Sequence, residues 1–289
     1  MRETVLNLLR KGGDLAGARY LTGAGARRIR QYLPRVGLAV LKPAWDNVLV
    51  LAPHPDDEVF GAGLLLSLLH EQGKRVTIAY ATDGSAYSTG AGGSRRGEAQ
   101  ASAERLGAEA IFLGLEDGNL ENSSGLAAAV AELTLQVHPQ AIIAPWFGDY
   151  HPDHRALARA ALSRPYPGAQ YLFYATFSPL WPGEDAEVAY ITRSEEQIRL
   201  GLEGYRASVN RETTDAFLVL RRTMALAVLN ENCFWEPFLA VPGGELPQLA
   251  EAAAQQPPIY PTLKKARHWR SFIRDVVRLG KAAAREYTK

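Results

Sequence analysis

Short apolar runs alternate with longer helical segments over much of this chain. Asn47–Ala52 (NVLVLA), Arg75–Ala81 (RVTIAYA), Ala110–Leu113, Ala141–Pro145 and Gln170–Ala175 are continuously apolar rather than alternating, which predicts strands buried on both faces. Between them, Glu58–Gln72 predicts an apolar helix stopped by Gly73, and Arg95–Leu106 a helix ended by Gly107. Leu126–Val137, closed by Pro139, and Pro152–Ser163 predict two more. The alternation predicts an α/β fold: a Rossmann-like, mostly parallel sheet of order 3-2-1-4-5 with helices on both faces.

Past residue 180 the pattern weakens. Glu187–Ile191 predicts a strand, Glu195–Tyr205 a helix and Phe217–Val228 one or two strands, with linkers at Pro242–Gly244 and Gln255–Pro261. The expected organisation has four parts. A basic extension (residues 1–45) packs on the core, a catalytic region spans 46–180, a smaller C-terminal cap over the substrate spans 181–262, and a basic amphipathic helix covers 263–289.

The chain has 289 residues, 47% hydrophobic and 22% charged, which excludes a disordered, collagenous or disulfide-stapled protein. Cys233 is the single cysteine, so no intrachain disulfide forms. No secretory signal is evident, and no apolar run approaches the roughly 20 residues of a membrane span. A cytoplasmic location is expected.

Two strand ends carry the chemistry. The first strand runs into His54-Pro55-Asp56-Asp57-Glu58, and the fourth runs into Asp149-Tyr150-His151-Pro152-Asp153-His154. Acids opening a helix are favoured there by the dipole, but two such clusters at neighbouring strand ends exceed what capping requires. With order 3-2-1-4-5 both would line the crevice at the topological switch point. A His/His/Asp set of His54, Asp57 and His154 suits a divalent ion with one position open for water, whose pKa the ion lowers. Asp56 is then free to take a proton. His151, when protonated, would support a developing oxyanion, with Asp153 holding that charge.

These residues, with Gly61, Thr82-Asp83-Gly84, Arg95-x-x-Glu98, Leu106-Gly107 and Asp117-Gly118, resemble the LmbE-like (PIG-L) family of zinc-dependent N-acetylglucosaminyl deacetylases over residues 47 to 180. The resemblance implies a hydrolase that removes an N-acetyl group from an N-acetylglucosamine-type amino sugar in a glycoconjugate. It implies one Zn²⁺ per chain on His54, Asp57 and His154, Asp56 as general base, and His151 as the acid at the oxyanion. Arg95 and Asp117 would contact the sugar. Iron(II) could occupy the same ligands, and an amidase or O-deacetylase using the same site is the alternative activity. The C-terminal third matches the family only loosely. A dinucleotide site at Gly61-Ala62-Gly63 is disfavoured, because Asp56, Asp57 and Glu58 would repel a pyrophosphate at that turn; close helix–sheet packing is the expected role of these glycines.

The formal net charge of +1 conceals a partition. Residues 1–45 and 263–289 each carry +7, and the body between them carries −13. No nucleic-acid recognition motif accompanies the basic ends. Two readings stay open: the ends pack on the body with a solvated Lys/Arg face, or they form a peripheral surface for an anionic membrane or lipid-linked glycan. Liposome sedimentation of the full chain and of a chain lacking residues 263–289, at low and high salt, separates them. Salt-sensitive pelleting lost on truncation supports the second reading, and equal pelleting of both excludes it.

Overall fold

The computed structural model describes residues 26–27, 30, 36–87, 94–176, 180, 187–241, 245–247 and 249. The expected helix over 263–289, both linkers and most of residues 1–35 lie outside the described residues. Among them the elements run β1 (Gly37–Val40), β2 (Asn47–Ala52), α1 (Asp57–Glu71), β3 (Arg75–Tyr80), α2 (Ser94–Arg105), β4 (Glu109–Phe112), α3 (Leu126–Val137), β5 (Ala141–Pro145), α4 (Pro152–Ser163), β6 (Gln170–Tyr174), β7 (Glu187–Arg193), α5 (Glu195–Leu202), α6 (Arg211–Val228) and β8 (Phe234–Val241).

All eight strands form one sheet of order β1-β7-β8-β6-β5-β2-β3-β4. Its five parallel strands β4-β3-β2-β5-β6 keep the order expected from the alternation. Because side chains alternate across a strand, β2 feeds two cores. Val48, Val50 and Ala52 pack beneath α1, α2, α5 and α6, while Leu49 and Leu51 pack beneath α3 and α4. β2 and β5 are direct neighbours, with Val48 opposite Ala141, so their carboxyl ends open side by side.

The C-terminal residues add to the sheet, since β7 and β8 extend it with β8 antiparallel to both β6 and β7. One expectation needs correction. Phe217–Val228 is helical rather than extended. Buried Phe217, Leu220, Arg221, Met224 and Ala225 recur at helical spacing, and the Asn210 side chain caps the helix by accepting from the Thr213 amide at 2.8 Å. An apolar run buried on most sides loses the periodicity that separates helix from strand.

Helix α1 is broken. Ala62 has φ −138° and ψ 20°, outside helical values. In an unbroken helix the Leu64 amide would donate to the Phe60 carbonyl. Here Leu64 and Leu65 donate instead to the two carboxylate oxygens of Glu236 on β8, at 3.1 and 2.9 Å. The Phe60 carbonyl accepts from Arg221 on α6 at 2.5 Å, and the same guanidinium nitrogen reaches the Ala175 carbonyl at 2.9 Å. Insertion of side chains into the backbone ladder is an established cause of a helix kink. Gly61 lets the bent helix press on the sheet, since a Cβ there would lie 2.1 Å from the Tyr174 ring. That ring is fixed by its hydroxyl, which donates to the Leu51 carbonyl at 3.0 Å.

Overpacking at this contact gives a direct expectation: Gly61→Ala should destabilise the protein by about 1–3 kcal/mol, seen as a lower Tm. An unchanged Tm would show that Tyr174 yields. A second expectation concerns pH. Burial pushes the Glu236 carboxyl up to about 7 from an ordinary 4.5, against the opposing pull of Arg221 and the two amides. The folded protein therefore binds the extra proton between those values, and stability falls as pH rises through that window. Denaturant melts of chelator-treated protein from pH 4.5 to 7 should show a flatter profile for Glu236→Gln than for the parent; identical slopes would refute the assignment.

Candidate metal centre

The chain leaves β2 through Pro53, His54 and Pro55 and enters α1 at Asp57. The N-cap residue Asp56 adopts φ 100°, a left-handed conformation strained for a residue with a Cβ. Neighbours hold it there. Its amide donates to Glu58 Oε2 at 3.1 Å, its carbonyl accepts from Val59 and Phe60, and its carboxylate takes a 2.7 Å ion pair from Arg95 Nη2. Arg95 Nη2 also donates to the Pro55 carbonyl. Glu58 is fully buried, and its Oε1 accepts from Tyr205 (2.6 Å), Tyr80 (3.0 Å) and Ser102 (3.2 Å). Burial pushes its carboxyl up to about 7.

Around this turn a cluster of imidazoles and carboxylates closes. Asp57 Oδ2 accepts from the His54 amide at 3.1 Å, lies 3.0 Å from His54 Nδ1 and 3.2 Å from His154 Nε2. The other edge of His54 faces Asp153 Oδ2 at 3.0 Å and Asp117 Oδ1 at 3.1 Å. His154 Nδ1 faces Asp149 Oδ2 at 3.5 Å. The His151 ring lies within 5.0 Å, centroid to centroid, of both His54 and His154. Tyr150 sets its ring edge-on to His151 at 6.0 Å.

The loops are pinned by the same acids. Asp153 accepts from the amides of Gly118 (2.8 Å) and Leu120 (3.0 Å), and Asp117 accepts from that of Ala86 (2.7 Å). Asp149 accepts from the His151 amide at 2.8 Å, and Arg155 clamps the Asp149 and Tyr150 carbonyls at 3.0 and 2.8 Å. The carboxylates shape the protonation of the ring nitrogens. Burial opposes charge on His54, but Asp117, Asp153 and Asp57 outweigh it and hold its pKa well above 6.5. Burial likewise opposes charge on His154, yet Asp57 and Asp149 raise it to about 9. His151, half-buried and beside two positively charged rings, is pushed down to about 4, partial burial being the larger cause.

The eight residues singled out from the sequence thus fall in one crevice, with two differences of detail. The Asp153 carboxylate pairs with His54 rather than with His151, whose Nδ1 instead accepts from the Asp153 amide at 3.2 Å as the N-cap of α4. Arg95 engages Asp56, a contact that sequence reading did not anticipate. Asp149 and the Tyr205–Glu58 bond were also missed. The position of Asp149 two residues ahead of His151 was a usable signal, whereas Tyr205 lies 147 residues from Glu58.

Among the described residues, two groups have donor atoms mutually within 4.8 Å: His54, His151 and His154, and His54, Asp117 and Asp153. The expected third ligand, Asp57, belongs to neither group, although its Oδ2 stands between His54 and His154. Imidazole nitrogens and carboxylate oxygens are the donors that zinc and iron(II) take. Asp117 Oδ1, buried and 3.1 Å from His54 Nε2, adds a carboxylate oxygen to that donor set, and the residues fit a cation. A cleft of about 550 Å³ adjoins the cluster beyond the ends of β3 and β4, lined in part by Asp83, Phe112 and Asp117.

Fold and site together define a switch-point α/β protein with a candidate metal centre. Residues 49–164 match the model of the PIG-L family, described as GlcNAc-PI de-N-acetylase. That stretch contains both His/Asp motifs. It is 34% identical over 131 residues to a probable N-acetyl-alpha-D-glucosaminyl L-malate deacetylase 2 of Bacillus cereus, a match covering 40% of this chain and 59% of that relative's length. Among solved structures it resembles a conserved protein of Thermus thermophilus, with 27% identity and a TM-score of 0.57 over 68% of this chain and 95% of that one. The N,N'-diacetylchitobiose deacetylase of Pyrococcus horikoshii shares the fold at 22% identity and a TM-score of 0.58, over 70% and 86% of the two chains. No helix among the described residues is long and apolar enough to cross a membrane.

Proposed function

We propose that this protein is a zinc-dependent hydrolase that removes the N-acetyl group from an N-acetylglucosamine-type amino sugar in a glycoconjugate. The observation that carries this reading is the buried Asp57 oxygen shared by His54 and His154 at the mouth of the switch-point crevice. The match of residues 49–164 to a de-N-acetylase family supports it, as does the relative named as a probable N-acetyl-alpha-D-glucosaminyl L-malate deacetylase.

His54, Asp57 and His154 would hold the ion, which supplies a Lewis acid for the acyl oxygen and a lowered pKa for water. The remaining chemistry belongs to the chain. Asp56, oriented by Arg95, takes the proton of the attacking water and passes it to the leaving amine. His151, its ring 4.8 Å from that of His54 and its Nδ1 accepting from the Asp153 amide, would as a neutral imidazole donate Nε2–H to the oxygen that gains charge as the amide carbonyl becomes tetrahedral, rather than act as the protonated acid expected from the sequence. Asp117 and the adjoining cleft receive the sugar. Under the same reading the basic ends would bring the enzyme to an anionic or lipid-linked carrier, which the liposome comparison tests.

Purified protein should contain about one zinc per chain, and chelation should stop acetate release from a panel of free, nucleotide-linked and lipid-linked N-acetylhexosamines. Asp56→Asn should retain the metal and lose turnover by about 10²–10⁴-fold. A variant that deacetylates as fast as its parent would remove Asp56 from the role of base. Metal-free protein with full activity would overturn the reading altogether.

A further inference from the structure

The break in α1 falls one turn after Asp57. The segment from Asp57 to Gly61 is too short to be held by its own ladder, since an isolated turn fixes many dihedrals for very few hydrogen bonds. Its direction is therefore set from outside. At its start Glu58 and Arg95 fix the Asp56 backbone and side chain. At its end Arg221 grips the Phe60 carbonyl and ties it to Ala175, just beyond the carboxyl end of β6. Past the break, Glu236 receives the two amides that open the second helical segment. The Arg221 guanidinium lies 4.9 Å from the Phe217 ring centre, which keeps it over the kink.

Both charged side chains are almost fully buried. Removing such groups from water is costly, and a continuous helix would pair Phe60 with Leu64 without them. Neither residue lines the cleft beside the cluster. Both come from α6 and β8, beyond the residues that match the family. Their common effect is to separate the Asp57 turn from the rest of α1 and aim it at the loop after β5.

We infer that Arg221 and Glu236 are positioning residues, which hold the broken helix at the angle that sets Asp57 Oδ2 between His54 and His154. The inference rests on the proposed function only in taking Asp57 as a metal ligand. Arg221→Met would remove the guanidinium donor from the Phe60 and Ala175 carbonyls. Glu236→Gln keeps one acceptor oxygen but turns an NH₂ group toward the other amide.

The test is zinc affinity by chelator competition, with kcat, KM and the Tm of the chelated protein, for the parent, Arg221→Met, Arg221→Lys and Glu236→Gln. Leu133→Ala, a truncation under α3 in the opposite core, is the control for loss of stability alone. Arg221→Met and Glu236→Gln should weaken zinc binding about 10–100-fold, the range seen when groups supporting metal ligands are removed. They should lower kcat with KM changed less than about threefold. Arg221→Lys, which keeps a donor and is the mildest change should the others not fold, should recover part of the affinity. Leu133→Ala should lower Tm and leave zinc affinity within about twofold of the parent. Zinc affinity unchanged in the Arg221 and Glu236 variants, or lost equally in Leu133→Ala, would overturn the inference. A parent that binds no zinc would instead overturn the metal reading, and kcat measured against the Leu133→Ala control would then decide the positioning role.

Discussion

A buried carboxylate oxygen facing two imidazole nitrogens imposes the constraint around which this protein is arranged. Charge is expensive away from water, so a group such as Asp57 persists in the interior only with a partner of opposite sign or a metal ion. His54 and His154 provide that partner, and Asp117, Asp149 and Asp153 in turn surround the two rings. Four carboxylates and three imidazoles in one crevice leave an excess of negative charge that a divalent cation would neutralise. The acidic body of the chain thus has a local centre rather than an even spread.

Holding that centre in register falls to the backbone. Each loop of the site leaves a parallel strand and is then fixed by bonds between the site's acids and nearby amides. Asp153 reaches Gly118 and Leu120, Asp117 reaches Ala86, and Asp149 reaches His151. One carboxylate therefore serves both a ring and a loop. The left-handed Asp56 shows the same economy, since Glu58 beneath it binds its amide with one oxygen and three hydroxyls with the other. Two of those hydroxyls come from β3 and α2, and the third, Tyr205, from the C-terminal region.

Much of this was legible from the chain. The five parallel strands followed from continuous apolar runs, because strands covered on both faces cannot alternate, and their order from the strand–helix alternation, whereas the placing of β1, β7 and β8 beyond β6 was not anticipated. The two His/Asp motifs were visible because four protonatable groups in five positions have no purely structural reason to open a helix. What escaped was long-range and buried. In the run FLVLRRTMALAV the arginine pair reads as a solvated interruption of an apolar strand, yet Arg221 is buried and bonds residues 161 and 46 positions away. Glu236 lies inside the strand FWEPFLAV, where nothing local indicates amides 171 and 172 residues distant. A buried charge and its partner leave a sequence signal only when they are close together.

Arg95 shows how one guanidinium can bear on both halves of the site. The family resemblance gives it to the sugar, whereas the structure commits its Nη2 to Pro55 and Asp56. The two roles are compatible because the fork is planar and has donors on three nitrogens. Its Nε is buried without a hydrogen bond, and Gly84, at φ +71°, gives its Nη1 room that a Cβ would take, at 2.7 Å. A sugar hydroxyl or acyl oxygen bonded to the outer part of the fork would therefore bind the same group that orients Asp56. Substrate position and base orientation would then be set by one rigid element, so a shift in either is felt by the other.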